Sequence, residues 1–265
     1  MIGLDLGRLT AIARKEVREY RRTPFILGAM AVFPIVFLIN PAIVIFVLGA
    51  TVKPAAVATN VSSTFLVLLV LPAVIPATIA AYSVVGERDQ GTLEPLLTTP
   101  VRRGEILLGK ALAPVIPSVG MAYLLFALVV VVAHFFARNP AVATTLTDGS
   151  RILAQGLFAP LLAVWSIGVG TAISTRSSDV RIAQQLGTLA SLPPLAVTAL
   201  VSFQIVPLGV WTAVGFGLGL LALDIVMWRG VVALFDRERL VTGTRARREE
   251  GAVGALPGEV RRIRA

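Results

Sequence analysis

Six apolar segments, at about 25–50, 64–86, 111–135, 153–175, 185–203 and 210–228, constrain this chain more than any other feature. At roughly 1.5 Å rise per residue even the shortest reaches about 28 Å as a helix, near the thickness of a bilayer's hydrocarbon core. Lipid offers no partner to backbone N–H and C=O groups, so segments of this kind bond internally as helices. The predicted fold is all-α, a polytopic membrane protein with six transmembrane helices. The fifth segment contains Pro193-Pro194 and reads either as a full span or as a broken, re-entrant one. Composition agrees, since 56% of the 265 residues are hydrophobic, more than a soluble domain of this length can hide.

The charges then orient the spans. A net charge of +9 could suggest nucleic acid, but the cations cluster beside the apolar runs, which points to membrane orientation and to no nucleic-acid partner. Six alternating helices place 21 of the 24 Lys and Arg residues on one side, leaving Lys53, Arg138 and Arg151 on the other. Positive residues stay inside, so both termini and the loop at 87–110 are expected in the cytoplasm, with the chain multi-pass in the cytoplasmic membrane. The division of the chain follows. Residues 1–24 form a cytoplasmic amphipathic helix, 25–228 the transmembrane domain, and 229–265 a cytoplasmic extension with a mobile tail. The first apolar run is longer than a signal-peptide core, so Ala56-Val57-Ala58 is not expected to be a cleavage site.

Ahead of the first span, Leu9, Ile12, Ala13, Val17 and Tyr20 recur at three- and four-residue spacing, with Arg8, Arg14, Lys15, Arg18 and Arg21 on the remaining arc. This pattern fits a helix lying in the headgroup layer against membrane lipid, or a basic flank of the first span; the periodicity favours the interfacial helix. In the loop, Gly91 permits a tight turn and Thr92 can cap a short helix that begins at Leu93, with Pro95 in its first turn. Leu93, Leu96 and Leu97 share one face of it, flanked by Glu87, Glu94, Arg102 and Arg103. Thr99-Pro100 ends it and can start a second helix, with Ile106, Leu107 and Leu108 leading into the third span. From pattern alone this is either a docking surface or a loop whose leucines pack on the membrane.

The stretch Gly86-Glu-Arg-Asp-Gln-Gly-Thr-Leu-Glu-Pro-Leu-Leu-Thr-Thr-Pro-Val-Arg-Arg-Gly-Glu-Ile-Leu-Leu-Gly-Lys110 resembles the cytoplasmic loop of ABC-2-type transporter permeases. In that family a charged start, Gly-Thr-Leu-Glu, a Pro and an Arg precede a Glu-Ile-Leu-x-Gly-Lys ending. Ala13-Arg-Lys-Glu-Val-Arg-Glu-Tyr-Arg-Arg22 is similar to the family's N-terminal helix. Arg102 departs from the pattern, where a small hydroxyl residue is usual before the Arg at 103. The motifs cover about 35 residues, and the six-span layout extends the match along the chain.

The resemblance implies the permease subunit of an ATP-binding-cassette transporter, most members of which export. It implies two copies of an ABC ATPase as partners and a second permease subunit, in a homo- or heterodimer. The loop would be a cytoplasmic coupling helix seated in a groove of the ATPase, with Glu87, Gly91, Thr92, Leu93, Glu94, Leu96, Leu97, Pro100, Arg103 and Glu105 at the contact. Hydrolysis would then belong to the partner, and the chain itself would be no enzyme.

Other signals carry less chemistry. Gly104-Glu-Ile-Leu-Leu-Gly109-Lys110-Ala111 matches part of a phosphate-binding loop, but Ala111 replaces the hydroxyl residue that ligates Mg²⁺ and no strand precedes it. With no cysteine, one histidine (His134) and four methionines, neither a metal centre nor a soft-metal pathway is expected, and no cofactor is implied. Asp224 lies near the inner end of the last span, where it can reach water, pair with Arg229 or line a pathway. Asn40, Gln155 and Gln204 are candidates for pathway lining or interhelical hydrogen bonds. Gly168, Gly170 and Gly215-x-x-x-Gly219 would let helices approach closely, and Pro34, Pro41, Pro72 and Pro76 should kink theirs. The alternatives to a permease are a non-transporting membrane scaffold and an intramembrane enzyme. The spans hold only isolated polar residues, which disfavours the enzyme.

Overall fold

The computed structural model describes residues 6–20, 24–89, 103–177, 179–203, 205–207 and 209–234. Within them the secondary structure is helical and no strand occurs: α1 Leu6–Tyr20, α2 Pro24–Phe37, α3 Ile39–Phe46, α4 Pro54–Asp89, α5 Arg103–Phe136, α6 Pro140–Leu146, α7 Gly149–Arg176, α8 Val180–Ser202 and α9 Val210–Leu234. Five of these, α4, α5, α7, α8 and α9, are long and apolar enough to cross a membrane. Their outward residues are apolar as well; Leu124, Leu189, Trp211 and Val226 are all largely exposed. Side chains of that kind suit a lipid solvent rather than water.

The first expected span is divided. Between α2 and α3 the helix is interrupted at Leu38, so the 25–50 segment is not one uninterrupted helix. The cause lies three residues on, where Pro41 has no N–H to give the carbonyl of Phe37. Backbone bonds from Leu38 to Pro34 (3.0 Å) and from Ala42 to Leu38 (3.0 Å) still bridge the interruption, so the two pieces continue one path.

The fifth segment shows the opposite outcome, for α8 runs unbroken through Pro193 and Pro194. Pro194 frees the carbonyl of Ala190, and the indole N–H of Trp165 on α7 donates to that oxygen at 3.0 Å. Pro160 on α7 frees the carbonyl of Gly156 in the same way, and the Tyr123 hydroxyl on α5 donates to it at 2.8 Å. Neighbouring helices thus supply the donors that proline removes.

At the centre stands α4, which serves two hydrophobic clusters. Val57, Val61, Leu68, Leu71, Ile75 and Ile79 face α3, α5 and α6, where Val44, Leu125, Val129 and Leu146 complete one core. About a quarter-turn round, Phe65, Leu69 and Ala73 face Phe158 and Leu162 of α7, Leu195 of α8 and Leu220 of α9. Further along that face the side chains shrink to Ala77 and Ala80. There a Cβ on Gly170 of α7 would lie 2.7 Å from the Ala80 Cβ, and one on Gly187 of α8 would lie 3.5 Å from the Ala77 carbonyl oxygen. Large residues at one end and small ones at the other draw α4, α7 and α8 together towards the end where the 87–110 loop emerges.

Candidate coupling junction and polar sites

The named docking positions Gly91, Thr92, Leu93, Glu94, Leu96, Leu97 and Pro100 lie outside the described residues, as does Gln204. Glu87 falls within α4, and Arg103 and Glu105 within α5, as backbone positions whose side chains are likewise outside the description. What the structure does show is the base on which that loop stands.

The base is the crossing of α1 over the first turns of α5. Ile12, Ala13, Glu16 and Tyr20 follow one another at helical spacing along α1 and face the protein, while Arg14, Val17 and Arg18 point outward. Ile12 rests on Gly109, where any side chain would collide; an added Cβ would lie 2.6 Å from Ile12 Cγ2 and 2.7 Å from its Cβ. One residue on, Lys110 Nζ donates to Glu16 Oε1 at 3.0 Å, both side chains being almost wholly buried. Lys15, on the outer arc, approaches the same oxygen at 3.6 Å. A buried ion pair holds only with both partners present and well aligned, because removing one strands the other charge in a poor solvent. The Gly-Lys dipeptide that imitates a phosphate-binding loop is therefore a docking device for α1: the glycine admits the helix and the lysine fastens it.

Neither Glu16 nor Lys110 stands out by composition. The signal available in the sequence was positional, because Glu16 falls between Ile12 and Tyr20 on the arc that is otherwise apolar. A charge in such a place is either an error of pattern or one half of a pair.

Three polar candidates within the spans resolve differently. Asn40, beside the α2–α3 interruption, is engaged by α4: its amide donates to Ser63 Oγ at 3.5 Å and its oxygen accepts from Thr64 Oγ1 at 3.0 Å. Gln155 of α7 is buried, and neither end of its amide has a partner among the described residues. Asp224 is buried too and lacks a hydrogen-bond partner there, so the expected pairing with Arg229 is not formed. Its position explains why. Ala213, Gly217, Leu220, Asp224 and Val231 form the buried stripe of α9, while Arg229 is exposed on another face. Contacts of Gly217 with Leu157 and of Gly168 with Met227 set α9 parallel to α7 along this stripe. Gly215 and Gly219 face open space instead, so that motif brings no helices of this chain together.

Arg151 was overlooked as one of three stray cations on the sparsely charged side. It lies in the first turn of α7, 8% exposed, with Nη1 donating to Ser62 Oγ of α4 at 3.1 Å. A pocket of about 510 Å³ opens beside it. Among the described residues no group of three or more potential metal ligands occurs.

Comparison with known proteins matches these features to one family. The family described as "ABC-2 family transporter protein" matches residues 10–206, from α1 to just beyond α8. The chain is also similar to the "ABC transporter permease protein NatB" of Bacillus subtilis (strain 168), with 34% identity over 139 residues. That match covers 50% of this chain and 36% of the relative, so it spans only about a third of the relative's length. The family match takes in the α1–α5 junction, the central α4 and its neighbours through α8, and on that ground the chain belongs to the ABC-2 family of transporter proteins.

Proposed function

We propose that the chain is the permease subunit of an ATP-binding-cassette exporter, and that a separate ATPase drives it by docking on the 87–110 loop. The observation that carries this reading is the α1–α5 junction at the base of that loop. Gly109 and Lys110, the last residues of the patterned stretch, are fastened to α1 by close packing and a buried ion pair. A push on the loop then has a stiff path into α5 and α1 together, rather than being lost in a loose linker. Similarity to the Bacillus subtilis relative, a permease, supports the same role.

In this reading Leu93, Leu96 and Leu97 seat in the ATPase groove, with Glu87, Gly91, Thr92, Glu94, Pro100, Arg103 and Glu105 around them. Two ATPase copies and a second permease complete the assembly, and the exposed Gly215–Gly219 face of α9 is available to lipid or to that second permease. With α2 and α3 counted together as a sixth crossing, both termini and the loop fall on the cytoplasmic side, where 21 of 24 cations gather. Asn40, Gln155, Gln204 and Asp224 are kept as pathway or packing positions.

The test is reconstitution of the permease with its ATPase, comparing wild type with a Leu93→Ala, Leu96→Ala, Leu97→Ala variant. Losing that apolar area, at about 25 cal/mol per Å² or roughly 1–2 kcal/mol per side chain, should reduce assembly and substrate-stimulated hydrolysis several-fold at normal membrane content. Wild-type coupling in the triple variant would overturn the docking assignment.

A further inference from the structure

At the end of the bundle opposite the loop, Ser62 near the start of α4, Thr144 and Thr145 of α6, and Asp148, Ser150 and Arg151 at the start of α7 surround the pocket of about 510 Å³. Its chemistry is asymmetric. Arg151 is more than nine-tenths buried, yet Ser62 Oγ, a neutral acceptor, is its one hydrogen-bond partner among the described residues, and no carboxylate there lies within ion-pair distance. A guanidinium carries five N–H donors in a planar fork. Buried beside a single hydroxyl, it has most of that capacity unused, and its charge is offset only in part by the nearby Asp148 carboxylate, which makes no ion pair with it.

The surroundings favour an anion as the missing partner. The first turn of the 28-residue α7 directs its positive end at the same region, and Asp148 makes no side-chain cap there. Instead the Asp148 carboxylate accepts from the Ser150 hydroxyl and stays exposed at the rim. Thr144 and Thr145 line the opposite wall, their hydroxyls donating to the Ala141 carbonyl. The volume exceeds what one water needs and suits a small polar headgroup.

We infer that this pocket binds an oxyanion, a carboxylate or phosphate group, through the buried guanidinium of Arg151 and the amino end of α7. The oxyanion belongs either to a free solute or to a lipid headgroup. Placing the pocket on the outer face rests on the topology proposed above, whereas the binding itself does not, so the two stand or fall separately.

The full chain, purified in neutral detergent, is unfolded thermally at constant ionic strength while phosphate or acetate replaces chloride. The same measurement is made in nanodiscs of phosphatidylcholine with and without phosphatidylglycerol. Wild type should show a higher midpoint with phosphate or acetate if the ligand is free, or with phosphatidylglycerol alone if it is a headgroup. Arg151→Gln should lose that response, its apparent affinity falling by roughly tenfold or more, as expected for a charge-assisted contact. Should that variant fail to accumulate, Thr145→Glu sets a like charge on the pocket wall without touching Arg151, and it must lose the response too. An unresponsive wild type, or variants that respond as wild type does, would overturn the assignment.

Discussion

The two ends of this helix bundle each bury a cation, and they treat it in opposite ways. At the loop end Lys110 meets the Glu16 carboxylate at 3.0 Å, and Gly109 beside it leaves no free volume over Ile12. At the other end Arg151 has the Ser62 hydroxyl as its one hydrogen-bond partner among the described residues and no ion pair with the nearby Asp148, and a pocket stands open next to it. Burial alone therefore says little about what a charge is for. A cation paired within the chain closes a joint between two helices, and one without an ion-pair partner beside open volume is held ready for something that arrives.

The strongest way to break this comparison is to open the joint. Glu16→Ala or Lys110→Ala each removes one half of the buried 3.0 Å pair, a loss of up to about 3–5 kcal/mol that should lower the folded yield and the unfolding midpoint, less so for Lys110→Ala because Lys15 still approaches Glu16 at 3.6 Å. The double variant Glu16→Leu with Lys110→Met removes both charges and should recover most of that stability, because a buried pair replaced by apolar groups is often near neutral. Stability recovered without recovery of ATPase coupling would show that the pair serves transmission beyond holding α1 in place. Single variants as stable as wild type would mean that the pair is dispensable.

Between the two ends, the midsection is held where proline has broken the backbone ladder and a neighbour repairs it. Trp165→Phe removes the donor to the Ala190 carbonyl that Pro194 has freed, leaving a partly buried acceptor unpaired at up to about 1–3 kcal/mol. The expected result is a lower unfolding midpoint, together with faster amide exchange in α8 around 190–194. A variant with unchanged exchange there would mean that α8 does not depend on Trp165 for its continuity.

Those repairs also mark where the sequence stopped being legible. Long apolar segments announced the helices, since lipid leaves the backbone no alternative. Whether proline interrupts a helix was not readable, because the deciding donor sits on another helix, 25 residues away for Trp165 and Ala190. Pro41 and Pro194 look equivalent in sequence, yet the first accompanies an interruption at Leu38 and the second lies in a continuous helix. The polar sites divide likewise. Asn40 was visible as an amide in an apolar run, and the structure gives it partners on α4. Arg151 was counted only as a charge to be placed on one side, because its burial depends on α4 and α6 closing over the start of α7. The loop motif was legible through resemblance, while the partner of Lys110 lies 94 positions away and shows only when α1 folds back.

The smallest effect expected is also the sharpest control on the pocket end. Asn40 lies towards the same end of the bundle as Arg151, but it is satisfied: Ser63 and Thr64 take up both ends of its amide. Interhelical hydrogen bonds of this kind contribute only about 0.6 kcal/mol on average inside membranes, since each group finds other partners when the helices separate. Asn40→Leu should therefore lower the unfolding midpoint slightly and leave the response to phosphate, acetate or phosphatidylglycerol at its wild-type size. Loss of the anion response in Asn40→Leu would show that the response reports general loosening of this end of the bundle. It would remove the distinction between a polar group already provided for and a cation kept waiting.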